Sequence, residues 1–230
     1  MNFQIFILIL LTKLTNRLCL PDVSSNLVAI DSAVNELTAS IGKKKDKPLI
    51  QCYEDIDCFS RDGPLRHLGL LPESPDQINT RFFAFNHLIP SFSIEVKIED
   101  KETFGTIISN QSLVIIIHGF ANDAKKPELI AIKDSLIRYA NMANVIMVDW
   151  NRGAIAPFYN QAVTNTQLVG RQIAILVDAL HRKRSIDPSS VHLIGFSLGA
   201  QVSHFAGEYF LFKFRQRLGR ITGQSNEILR

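Results

Sequence analysis

Strong charge of either sign is missing from this chain, as are long apolar runs and spare cysteines. The formal net charge is only +3, and it falls to +1 if residues 1–20 are removed with Lys13 and Arg17. A balance that small leaves no electrostatic footprint for nucleic acid. No apolar run approaches the roughly 18 residues that a membrane-spanning helix needs, so no transmembrane span is expected. Three cysteines are present, and Cys19 lies in the extreme N-terminal segment. That leaves Cys52 and Cys58, which have no neighbouring histidines and are too few to hold zinc. No metal and no other cofactor is expected. Internal repeats and low-complexity tracts are also absent. The 46% hydrophobic and 20% charged content excludes a disordered chain. A chain of 230 residues has room for one large or two small domains with a real core.

The N-terminus reads as a targeting segment. Phe3–Leu11, FQIFILILL, has the length of a signal-peptide apolar region, although no lysine or arginine precedes it and no A-x-A cleavage site follows. Residues 1–20 are expected to be a signal peptide, with an uncleaved anchor as the alternative, and the protein is expected to be secreted. Residues 21–48 form an N-terminal extension. There Leu27, Ile30, Val34, Leu37 and Ile41 make an amphipathic stripe, followed by Gly42 and the basic linker KKKDK. A pro-segment and an ordinary surface helix are both compatible with it. In an exported chain the even pair Cys52 and Cys58 reads as a local disulfide.

From about residue 49 onward the pattern is α/β. Leu65–Asp76 is loop-like, Arg81–Asn86 and Ile94–Ile98 are strand candidates, and Leu113–Ile117 (LVIII) reads as a strand buried on both faces. Pro127–Ala140 predicts a helix, Val145–Val148 a second buried strand, Gln161–Arg182 a long helix, and Val191–Ile194 a third buried strand. Alternating strands and helices imply a parallel sheet with right-handed crossovers.

The third strand runs into Gly195-Phe196-Ser197-Leu198-Gly199 and then into a helix-forming stretch. G-x-S-x-G between strand and helix is the pattern of a nucleophile elbow: the sharp turn exposes the serine, and the flanking glycines leave room where the backbone crosses itself. Ser197 is the candidate nucleophile, at a helix N-terminus where free N–H groups can stabilise an oxyanion. A second loop, His118-Gly119-Phe120, follows the first buried strand. In a parallel sheet both loops open at the carboxyl ends of the strands. The candidate oxyanion donors are the backbone N–H groups of Leu198 and Phe120. The His118 side chain is expected to be structural.

Taken together, these blocks resemble the animal lipases of the pancreatic lipase family, secreted triacylglycerol lipases and phospholipases A1. CYEDIDCFSRDGPL, INTRFFAFN, VIIIHGF, VIMVDW and VHLIGFSLGA match in order and spacing, from Cys52 to Gly223, about three quarters of the chain. The resemblance implies an α/β-hydrolase fold, with a mostly parallel sheet and helices on both faces. It implies Ser197 as nucleophile, Phe120 and Leu198 as oxyanion donors, and a Cys52–Cys58 disulfide. It also implies a lipid ester substrate met at a lipid–water interface. It says nothing of oligomeric state, or of triacylglycerol against phospholipid.

The same resemblance marks a gap. The family's order is Ser, Asp, His, with the Asp shortly after a GRITG-like strand. Here GRITG is Gly219–Gly223, and the expected Asp position is Ser225. No Asp follows Ser197, and the only His that follows is His204, in the same predicted helix. The fold is therefore expected to be incomplete at its C-terminus, and the chain to be a fragment with little activity alone. A non-catalytic lipid-binding or yolk-type relative is the alternative function. Tyr209–Arg217, YFLFKFRQR, departs from the family; it reads either as a membrane-touching patch or as extra helix with buried aromatics. The sequon Asn110-Gln111-Ser112 is close to a chance match.

Overall fold

The computed structural model describes residues 49–91, 93–139 and 144–224. The expected signal peptide, the 21–48 extension and Ser225 lie outside the described residues.

Two short strands open the described chain, β1 (Ile50–Tyr53) and β2 (Asp57–Ser60). They form an antiparallel hairpin in which Cys52 faces Cys58, and the two are joined as a disulfide. The expected loop after it contains a single 3-10 turn, Arg66–Leu68, and the start of a short helix, α1 (Pro75–Ile78). Ser74 caps α1 through a reciprocal bond with Gln77, a local signal that a Pro- and Gly-based reading passes over.

The main sheet then assembles from β3 (Arg81–Asn86), β4 (Ile94–Val96), β5 (Leu113–Ile117), β6 (Asn144–Asp149), β7 (Val191–Phe196) and β8 (Arg220–Gln224). Its spatial order is β4-β3-β6-β5-β7-β8. The β6, β5, β7 and β8 strands run parallel, and β3 and β4 pair antiparallel at one side. The expected strand Ile94–Ile98 stops at Val96, because the Lys97 N–H donates to Thr103 Oγ1 instead of to a neighbouring strand. The expected strand Val191–Ile194 instead continues to Phe196, which pairs with Gln224 of β8.

Three long helices cover the sheet: α2 (Pro127–Tyr139), α3 (Tyr159–Arg184) and α4 (Leu198–Phe214). Alternation along the buried strands sorts their contacts. Leu113, Ile115, Ile117, Ile146 and Val148 pack with Leu168, Ile173, Val202 and Ala206 of α3 and α4. Val114, Ile116, Val145 and Met147 pack with Leu129, Ile132 and Leu136 of α2. Strands buried on both faces need continuous apolar sequence, which explains LVIII and VIMV.

The YFLFKF part of YFLFKFRQR is the end of α4, with Tyr209 and Phe210 buried, while Leu211 and Phe212 are 41% and 65% exposed.

Candidate active site

The site position follows from strand order. β5 and β7 are parallel neighbours with Ile117 opposite Gly195, so the chain leaves both strands at the same level. After β5 it passes to α2 on one face, and after β7 to α4 on the other. Loops that part in this way open a crevice at the carboxyl edge of the sheet. The two segments that meet there are His118–Phe120 and Phe196–Leu198.

Ser197 is exposed and is the N-cap residue of α4, with φ 51° and ψ −118°. Positive φ of this kind is costly for a residue with a side chain, and it persists only where the surroundings enforce it. Those surroundings are visible. The Ser197 N–H donates to Gln224 O at 2.8 Å, and Ser197 O accepts from the Ala200 N–H at 2.9 Å. A Cβ on Gly195 would lie 2.1 Å from Gly199 O, and one on Gly199 would lie 2.3 Å from Ile117 O. Both contacts are with backbone, so neither can be relieved by a rotamer change. The turn is closed by its own main chain.

The His-Gly-Phe loop lies directly against this turn. A Cβ on Gly119 would sit 2.9 Å from Ser197 Cβ and 2.6 Å from Phe196 O. The structure therefore brings Ser197, Leu198, Gly195, Gly199 and the residue before Phe120 into one cluster, while Cys52 and Cys58 belong to the separate hairpin. The backbone N–H groups of Leu198 and Phe120 have no hydrogen-bond partner among the described residues.

Sequence reasoning did not find what holds the loop in place. His118 is 1% exposed, and its ring stacks on Trp150 at 5.5 Å. The Trp150 indole N–H donates to His118 O at 2.9 Å, and the Trp150 backbone N–H donates to Nε2 at 3.0 Å. Nδ1 lies 2.8 Å from Gly119 O. Asp149 Oδ1 lies 3.3 Å from Nε2. Burial pushes the Asp149 carboxyl up, and the His118 ring, the Asn151 N–H and the Arg81 guanidinium together hold it below its ordinary value. Further along, the Ala121 N–H donates to Ala154 O at 2.7 Å and Asn122 Nδ2 to Phe120 O at 2.9 Å. Phe120 meets Tyr159 edge-on at 5.1 Å. The only sequence signal for this clamp was the single tryptophan at the end of VIMVDW.

Ser197 Oγ makes no hydrogen bond with any described residue. Of the described histidines, His204 faces Glu208 at 3.8 Å on exposed helix, and His192 meets Thr222 Oγ1 at 2.9 Å. Burial, and next Arg220, push the His192 imidazole down. No group of three or more His, Cys, Asp or Glu side chains is disposed to hold a metal among the described residues.

Residues 50–226 match the family model described as Lipase. The chain belongs to the Lipase family. With that membership the sheet is the α/β-hydrolase sheet, in partial form. Among curated relatives, the pancreatic triacylglycerol lipase of Myocastor coypus is 35% identical over 179 residues, covering 75% of this chain and 38% of that protein. Inactive pancreatic lipase-related protein 1 of Mus musculus is 36% identical over 181 residues, covering 75% and 36%. The chain thus spans less than two fifths of these lipase-family relatives. A solved thermophilic carboxylesterase, EstE1, cloned from a metagenomic library, shares 16% identity at a TM-score of 0.36, over 69% of this chain and 49% of that one.

Proposed function

We propose that Ser197 is the nucleophile of a secreted carboxylic ester hydrolase that acts on lipid esters, of triacylglycerol lipase or phospholipase A1 type. The observation that carries the reading is the backbone of Ser197: an exposed hydroxyl held at φ 51° between two glycines where any Cβ would collide with main chain. A site with no chemical use for that geometry has no reason to keep it. In the proposed reaction Oγ attacks the ester carbonyl. The tetrahedral oxygen accepts hydrogen bonds from the Leu198 and Phe120 N–H groups, the alcohol departs, and water later frees the fatty acid from the acyl-enzyme. The disulfide hairpin supports the assignment to the secretory route.

The proton acceptor is not among the described residues. Catalysis by the described part alone is therefore limited to what binding and oxyanion donors supply, several powers of ten below a complete triad. This same gap, together with a relative named inactive, favours a second reading in which the chain binds lipid without turning it over.

Fatty-acid release from tributyrin, followed by pH-stat with imidazole added as an external base, separates the two. The hydrolase reading expects slow release that rises with imidazole and disappears in Ser197→Ala. A carrier binds the lipid emulsion and releases nothing in either form.

A further inference from the structure

Beside the oxyanion loop lies an open cleft of about 670 Å³. Its floor begins at Ala121, one residue past Phe120, and its far wall is the Asn151–Ala156 segment, which the Ala121–Ala154 hydrogen bond ties to that loop. Three cations line it: Lys125, Lys126 and Arg152. None of the three lies within salt-bridge distance of a carboxylate among the described residues. The one acidic side chain in the cleft, Asp123, accepts the Lys125 backbone N–H at 2.8 Å and so is turned to its own loop. Ile155, 56% exposed, supplies an apolar rim.

We propose that this cleft holds the phosphate-bearing, net-negative headgroup of a glycerophospholipid substrate. The assignment rests on reading Ser197 as the nucleophile of a lipid-ester hydrolase, because it names that enzyme's substrate class. Arginine and lysine are the side chains that recognise phosphate oxygens, the first by its planar fork and the second as a point charge. Three cations against one carboxylate favour a headgroup with surplus negative charge. A zwitterionic headgroup would bring its own cation into a cleft that already repels it. A triacylglycerol has no group for these side chains to recognise. Position agrees: in a glycerophospholipid the phosphate sits a few bonds from the ester carbonyl, and the cleft sits one residue from the loop that would receive the carbonyl oxygen. The exposed Ile155 beside the cations suits a lipid-borne phosphate better than a free ion.

The test is isothermal titration calorimetry of the 230-residue chain with monomeric dihexanoyl phosphatidate, dihexanoyl phosphatidylcholine and inorganic phosphate. Phosphatidate is expected to bind at least tenfold tighter than the other two. The triple variant Lys125→Gln, Lys126→Gln, Arg152→Gln should lose at least tenfold of that affinity. A charge-matched control at exposed Lys97, Lys101 and Lys183 should not. Equal binding of phosphatidylcholine, an equal loss in the control variant, or inorganic phosphate binding as tightly as phosphatidate each overturns the headgroup site. The wild-type comparison stands without any variant, so a misfolded triple variant does not spare the proposal. The measurement involves no bond breaking. A chain that phosphonylates at Ser197 but shows no headgroup preference sinks this assignment alone. A chain that prefers phosphatidate but never phosphonylates sinks the hydrolase reading and leaves the site standing.

Discussion

Ser197 carries strain that its side chain gives no structural return for. A glycine occupies φ 51°, ψ −118° with far less penalty, so Ser197→Gly is expected to raise stability by about 1 kcal/mol in urea unfolding, while removing all reactivity toward a serine probe. A loss of stability on that change would mean that the hydroxyl has a packing role. The reverse substitution two residues away behaves oppositely. Gly195→Ala places a methyl 2.1 Å from Gly199 O, with no rotamer to relieve it, and should cost about 3 kcal/mol or more by the same measurement. These two residues were legible in the sequence because elbow sterics dictate residue type at fixed spacing. Gly119 was legible only as part of a loop, since nothing in one dimension shows that it packs on Ser197 Cβ. His118 was correctly read as structural, but its partner Trp150 lies 32 residues away and left no local pattern.

At the scale of elements, the disulfide hairpin is fastened to the helices from both α3 and α4, where the Tyr209 hydroxyl donates to Ile56 O at 3.0 Å. The Arg171 guanidinium, on α3, lies 3.9 Å over the Phe59 ring and donates to Cys58 O at 2.9 Å, with Tyr209 of α4 at 5.1 Å on its flank. Burial pushes the Arg171 guanidinium down, and Tyr209 and Asp57 push it back up. Arg171→Met should destabilise the fold by about 2 kcal/mol in urea, and Arg171→Lys should recover less than half, because lysine cannot stack and donate at once. Asp57 belongs to the same junction. The Cys58 N–H holds its carboxyl below the ordinary value of 3.8, against the opposing effect of burial, and Lys213 and Arg171 add to that. A carboxyl with a depressed folded pKa adds stability above its unfolded value and loses it as pH falls through the folded one. Wild type should therefore exceed Asp57→Asn in stability above pH 3.8, with the gap closing at lower pH. A gap that widens on acidification would reverse the assignment. None of this junction was legible in the sequence, because Arg171 and Cys58 are 113 residues apart. The elements themselves mostly were: β3 and β5 fall where the apolar pattern puts them, and the misses are at ends such as Val96 and Phe196, where pairing and not composition decides.

For the whole molecule, the sheet order creates the site. Parallel strands β5 and β7 deliver two loops to one crevice, and the chain departs to opposite faces, so the candidate nucleophile and candidate donors meet at one edge of the sheet. Periodicity predicted the parallel part of that sheet. The antiparallel pairing of β3 with β6 was not predicted, since a half-exposed strand does not reveal its neighbour. The measurement that bears most directly on the account is the site of phosphonylation after treating the chain with a fluorophosphonate, mapped by peptide mass spectrometry with and without imidazole. The account predicts one modified residue, Ser197, labelled at least tenfold faster when imidazole is present as an external base. No imidazole-dependent labelling at Ser197, or labelling spread over other serines, would contradict it.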